Sequence, residues 1–219
     1  MFKSQMYPNM PRISDNGDFF ELTEKVDGSN LTFINKPDGL YIAQRNWVLS
    51  LDEVKNDPEI KKKLYHELYT WLIDEGHGDW LRENLYEGSA ICGEWIGMKG
   101  HGNNLKYKDV FPQDFMMFAK ANVRDEWTLL NLNYDHGLFI YSFKGQEIPD
   151  WIGVVPVVAD IYEVPTKEVL DRIHEEYETK VGRKVEGFAI NYKNLISKYV
   201  RYKNGKKVEY SQKDHKSVA

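Results

Sequence analysis

Two apolar, β-rich runs, 19–26 (FFELTEKV) and 29–35 (SNLTFIN), are separated only by Asp27-Gly28, and a third, 39–44 (GLYIAQ), follows the turn Lys36-Pro37-Asp38-Gly39. Strands joined this closely read as an antiparallel meander. A helix is then expected from Asp57-Pro58, where Ile60, Leu64, Tyr65, Leu68, Trp71 and Leu72 recur at helical spacing until Gly76 stops it; the aromatics of this stretch read as core. A shorter helix follows at about 79–85. Further β-rich runs lie at about 89–95, 114–121, 136–143 and 154–162, then a helix at about 166–179 with Val169, Leu170, Ile173 and Tyr177 on one face. Strands at about 185–192 and 197–203 close the pattern. Grouped strands with inserted helices predict an α+β fold, antiparallel β-sheets flanked by helices, and not the strand–helix alternation of a doubly wound domain.

The chain has 219 residues, 42% of them hydrophobic and 14% aromatic, which is enough for one full core and short for two large domains. The expected organisation is a main domain over 1–203 and a basic tail over 204–219. No apolar run is long enough to span a bilayer, and the N-terminal residues MFKSQMYPNM lack the features of a secretory signal. The single cysteine, Cys92, excludes an internal disulfide and suits a reducing compartment, so a soluble, cytoplasmic protein is expected. The net charge of -5 is unevenly spread: residues 193–219 carry eight Lys or Arg against Glu209 and Asp214, a net of +6 that leaves -11 on the rest. Such a segment is either a solvated tail or a phosphate-binding edge on an acidic body.

The segment Glu24-Lys25-Val26-Asp27-Gly28-Ser29-Asn30 taken alone is a hairpin turn with a solvated lysine. Other groups follow it in order. Arg45 closes the third strand; Gly93-Glu94-Trp95 ends the run at 89–95; Phe118 ends Asp114-Phe115-Met116-Met117-Phe118; Glu186 opens Glu186-Gly187-Phe188-Ala189-Ile190; and Lys198-Tyr199-Val200-Arg201-Tyr202-Lys203 forms a basic strand. Glu94 and Glu186 each stand beside a glycine and bulky apolar residues, where a carboxylate is costly unless paired, coordinated or hydrogen-bonded.

This ordered set resembles the motifs of the covalent nucleotidyltransferases, the superfamily of DNA ligases, RNA ligases and mRNA capping enzymes. The likeness runs from about residue 20 to 203 and is nearest the RNA ligases typified by the second ligase of phage T4. It implies a nucleotide-binding groove in which Lys25, after losing its proton, attacks the α-phosphorus of ATP and becomes a lysyl-AMP phosphoramidate. It implies further that Glu94 binds the ribose, that Phe118 stacks on adenine, and that Glu186 helps hold Mg²⁺ or Mn²⁺, a hard cation suited to oxygen ligands and phosphate. Arg45 is assigned to phosphates or the RNA terminus, and Glu24 is counted with the nucleotide-binding residues. Asn30, where capping enzymes generally carry an arginine, points to ligase and to ATP over GTP. Gly28 reads both as turn former and as a residue whose missing side chain leaves room for the nucleotide.

The family's last motif usually has two lysines one residue apart, which emerge on one face of a strand. Here that spacing gives Arg201 and Lys203, with Lys198 as a rival, and all three stay as phosphate-contacting candidates. The implied partner is nucleic acid, RNA with 5′-phosphate and 3′-hydroxyl ends, and no membrane. Runner-up functions are a DNA ligase, a capping-type guanylyltransferase, or a non-catalytic nucleic-acid-binding relative. DNA ligases usually append an OB domain, which the 16 residues after Lys203 cannot form. Gly97-Met98-Lys99-Gly100-His101-Gly102 lacks Rossmann and P-loop spacing and reads as a connection over the groove. The six histidines have no ligand spacing, so no zinc is expected, and His174 reads as structural.

Overall fold

The structure is a computed structural model that describes residues 19–44, 47–64, 66–97, 105, 107–123, 129–192, 195–203 and 206–207. It is α+β, as the grouping of strands and helices predicts. Its described residues divide into two compact units, one built from Asp27–Val154, the other from the described residues up to Val26 together with those from Val155 onward.

The first unit holds a sheet in the order β4-β3-β2-β5-β6-β7, with β8 paired to β6. Its strands are β2 (Ser29–Lys36), β3 (Gly39–Ala43), β4 (Val48–Ser50), β5 (Ser89–Trp95), β6 (Phe115–Val123), β7 (Leu129–Asn133) and β8 (Ile152–Val154). All pairs are antiparallel except β6 with β8. Four helices, α1 (Leu51–Asn56), α2 (Pro58–Lys63), α3 (His66–Tyr69) and α4 (His77–Asn84), lie between β4 and β5 in the chain. Leu51, Leu68, Trp71, Leu72 and Leu81 bury their side chains with Leu31, Phe33, Ile91, Trp95, Phe115 and Met117 of the sheet. Alternation along the strands thus commits one face of the sheet to the helical core.

The expected single helix from 57 to 76 is broken. Asp57 caps α2 through Glu59 N–H at 2.9 Å, with Pro58 at its first position, but Leu64 adopts an extended backbone and ends it. The chain then re-enters α3 and widens into a π-turn over Thr70–Asp74 before Gly76, whose φ of 79° interrupts it where the sequence predicts. Within this wider turn the adjacent Trp71 and Leu72 are both buried in the core.

The second unit is a four-stranded antiparallel sheet in the order β11-β10-β1-β9, made of β1 (Phe20–Glu24), β9 (Val157–Ile161), β10 (Gly187–Tyr192) and β11 (Leu195–Val200). Helix α5 (Lys167–Val181) packs Leu170 and Tyr177 against Phe20, Leu22, Phe188, Ile190 and Tyr199. Thr166 caps its start and Gly182 ends it. A ribbon of β12 (Tyr202–Lys203) and β13 (Lys206–Lys207) follows.

Three sequence expectations need correction. The runs at 19–26 and 29–35 do not form a hairpin: β1 lies between β9 and β10, and β2 between β3 and β5, so each already has both edges filled. Gly28 therefore makes no tight turn. Its missing side chain matters because a Cβ there would stand 2.7 Å from the Trp95 carbonyl oxygen. The run at 136–143 is a 3-10 turn over His136–Ser142, with Asp135 accepting from Gly137 N–H at 2.9 Å; Phe139 and Phe143 are buried while Tyr141 is 63% exposed, which strand alternation does not allow. The run at 154–162 is divided at Pro156 between β8 and β9, a proline having no N–H to carry a ladder through.

Candidate active site

In the second unit, Lys25 is the first residue beyond β1. Its N–H bonds to the Gly187 carbonyl at 2.9 Å, and its Nζ lies 2.7 Å from Oε1 of Glu186. Two residues 161 positions apart thus meet because β1 and β10 are neighbours. Glu186 is fixed from its other side, its carbonyl accepting from the N–H groups of Arg201 at 2.7 Å and Tyr202 at 3.0 Å. Gly187 permits this close approach, since a Cβ there would fall 1.9 Å from the Tyr199 carbonyl oxygen. The side chains of Lys25 and Glu186 are 30% and 12% exposed, so the pair is neither surface nor sealed core.

Glu24 points the other way along the strand and is fully buried. Its carboxylate accepts two bonds from Arg183, at 2.7 and 2.8 Å, and a third from the Tyr177 hydroxyl at 2.9 Å. A buried carboxylate is tolerable only when paired and hydrogen-bonded in this way. Burial, and then the charge of Glu24, push the Tyr177 phenol well above its ordinary range, keeping it a donor. Neither Arg183 nor Tyr177 carries a motif in the sequence; Tyr177 is legible there only as an apolar-face residue of α5.

The basic strand separates by role. Arg201 bonds Asp171 of α5 at 2.9 Å and lies 3.6 Å from Glu175, while Asp171 also receives the Tyr199 hydroxyl and the Lys167 ammonium. Burial raises the Asp171 carboxyl, but the bonds from Lys167 and Tyr199 and the charge of Arg201 outweigh it and hold it low. Lys198 sits exposed on β11 opposite Ala189, and Lys203 pairs in register with Lys206. His174 is buried with Nε2 2.9 Å from the Val185 carbonyl, a structural histidine as expected.

In the first unit, Asn30, Glu94 and Met116 are cross-strand neighbours in register on β2, β5 and β6. Leu31, Trp95 and Met117, one position along, face the helical core, so Asn30 and Glu94 share the opposite face. Phe118 is the extra residue of a β-bulge where the β5–β6 register shifts, a place at which strand alternation assigns no face. All three are partly exposed. Asn30 and Glu94 are therefore gathered on one surface, with Phe118 on the neighbouring strand β6. Arg45 and residues 98–102 of the expected connection lie outside the described residues.

Among the described residues no group of three or more His, Cys, Asp or Glu side chains is placed to hold a metal ion, and no helix is long and apolar enough to cross a membrane. A lone carboxylate such as Glu186 nonetheless fits Mg²⁺ or Mn²⁺ chemistry, in which one or two carboxylates act with phosphate oxygens and water.

Solved structures share this fold. A mutant of Naegleria gruberi RNA ligase without ligand superposes with a TM-score of 0.51 at 23% identity, covering 84% of this chain and 50% of that one. Another mutant of that ligase, with AMP and Mn, gives 0.52 at 22% over the same shares. An archaeal ATP-dependent RNA ligase gives 0.52 at 16%, covering 89% and 48%. The chain thus spans about half the length of these ligases. No curated protein matches it. The fold class is that of RNA ligases, and a family model described as RNA ligase matches residues 18–203. The chain belongs to the RNA ligase family.

Proposed function

We propose that this chain is the adenylyltransferase part of an ATP-dependent RNA ligase, with Lys25 as the nucleophile. Lys25 Nζ attacks the α-phosphorus of ATP, the bond to the β-phosphate oxygen breaks, pyrophosphate leaves, and the amine's proton is released as the phosphoramidate forms. A 5′-phosphate oxygen of RNA then displaces Lys25 to give an adenylated end. A 3′-hydroxyl in turn displaces AMP, forming the phosphodiester. The observation that carries the reading is the 2.7 Å pairing of Lys25 with Glu186, brought together by neighbouring strands inside a family match. Glu186 is the residue that would hold Mg²⁺ or Mn²⁺, which supplies charge neutralisation at the phosphates when bound. Asn30, Glu94 and Phe118 take the ribose and adenine, and Lys198 and Lys203 the phosphates. Arg201 is given a holding role because two carboxylates already engage it.

The test is incubation with α-labelled ATP and, separately, α-labelled GTP with Mg²⁺ or Mn²⁺, beside Lys25→Ala. Covalent label from ATP that survives denaturation and disappears in the variant is expected. Label from GTP alone moves the chain to the capping-type guanylyltransferases, and no label from either leaves it a non-catalytic relative. Transfer of AMP to DNA ends in preference to RNA ends favours a DNA ligase.

A further inference from the structure

We propose that Arg183 and Tyr177 are positioning residues for Lys25, acting through Glu24. The pairing spans the same two chain segments as the reactive pair. Glu24 immediately precedes Lys25, and Arg183 stands three residues before Glu186, so segments 24–25 and 183–186 are joined twice. Lys25 to Glu186 joins them on one face and Glu24 to Arg183 on the other, in opposite charge order. The β1–β10 register ends at Glu24 with Phe188, and past it Lys25 keeps one backbone bond to the Gly187 carbonyl, so its direction depends on that bond together with what holds its predecessor. Glu24 is held at three points: its N–H on the Pro156 carbonyl at 2.8 Å, the two-pronged Arg183, and the Tyr177 hydroxyl.

The opposing segment is held as firmly. Val185 N–H bonds Glu178 at 2.8 Å, the Val185 carbonyl meets His174 at 2.9 Å, and the Glu186 carbonyl takes two N–H groups. Stability alone does not call for an ion pair at Glu24. The other positions on that face of β1, Phe20 and Leu22, are buried and apolar, and a well-packed apolar residue usually serves a fold at least as well as a buried charge pair. What the arginine fork adds is directionality: two parallel bonds fix the glutamate, and so the strand end, in one orientation.

The inference rests on Lys25 being the nucleophile, so its test has one arm that depends on that reading and one that does not. In the full chain, Arg183→Lys keeps the charge and loses the fork, and Tyr177→Phe removes one donor. The paired variant Glu24→Gln with Arg183→Gln removes both charges of the pair and guards against failure to fold. In the first arm, single-turnover formation of lysyl-AMP is followed against ATP concentration. Arg183→Lys is expected to slow the maximal rate by about tenfold to a hundredfold, the scale of a small misplacement of a reacting group, with the ATP concentration at half-maximal rate nearly unchanged. A purely structural role lowers the melting temperature and leaves the rate per folded molecule intact.

In the second arm, Lys25 acylation by an amine-reactive ester is read by peptide mass spectrometry without ATP. Acylation of Lys25 should change severalfold in folded Arg183→Lys while the other lysines keep their rates. Unaltered Lys25 acylation in the folded variants overturns the proposal, as does a wild-type adenylylation rate. Absence of any label from ATP in the wild type sinks the ligase reading alone, and the acylation arm still decides the positioning role.

Discussion

Gly187→Ala places a methyl where the structure has no room for one. The new Cβ would stand 1.9 Å from the Tyr199 carbonyl oxygen, about 1.5 Å short of ordinary van der Waals contact, and the obstacle is backbone. Strand β11 must move away from β10, which takes the N–H groups of Arg201 and Tyr202 from the Glu186 carbonyl, where they now lie at 2.7 and 3.0 Å. Two lost backbone bonds at about 1 kcal/mol each and overpacking of about 1–3 kcal/mol give a cost of about 3–5 kcal/mol, a large part of the roughly 5–15 kcal/mol that holds a domain together. Urea unfolding followed by far-UV circular dichroism measures it. Gly145→Ala is the control: it has a φ of 67° with open space around it, so it should cost only about 1–2 kcal/mol. If Gly187→Ala costs no more than Gly145→Ala, the account of why Glu186 can approach the basic strand is wrong.

Other outcomes follow from the same geometry. Phe118→Ala should raise the ATP requirement at least about fivefold, since stacking a base on a ring contributes about 1–3 kcal/mol, with a smaller change in urea midpoint; the reverse ranking makes Phe118 a core residue. Tyr134, Tyr177 and Tyr199 have phenols raised by burial, and Tyr41 is pushed up to about 12, first by its bond to Asp38. Each keeps its proton in the folded state at a pH where the unfolded chain loses it. Stability from these groups is therefore fully present below about pH 10 and falls as pH rises through 12. Phenolate absorbance should stop short of the full fourteen tyrosines while ellipticity is retained, and complete titration in the folded protein contradicts this. RNA binding should weaken with added salt if Lys198 and the basic segment contact phosphates; a flat response removes that role.

The candidate site residues are legible in the sequence because each stands in a short local motif. Lys25, Glu94, Phe118 and Glu186 stand out among their neighbours in the chain, and the shared face of Asn30 and Glu94 follows from strand alternation once β2 and β5 are in register. What supports them was not legible. Arg183 meets Glu24 across 159 positions, and a lone arginine after a helix-ending glycine carries no sign of its partner. The hairpin expected around Asp27-Gly28 failed for a related reason: a short connection between two β-rich runs does not say that the runs pair, and here each was claimed by other strands. In 136–143 the aromatics Phe139, Tyr141 and Phe143 mimic alternation, while Asp135 caps a tight turn that only the backbone reveals.

In the proposed reaction one amine of the chain becomes covalently bound to AMP. Mass spectrometry of the chain after incubation with ATP and Mg²⁺ or Mn²⁺, followed by peptide mapping, tests it directly. The account predicts an added mass of one AMP per chain, confined to the peptide that contains Lys25 and absent from Lys25→Ala. An AMP adduct on any other lysine, or one that persists in Lys25→Ala, would contradict it.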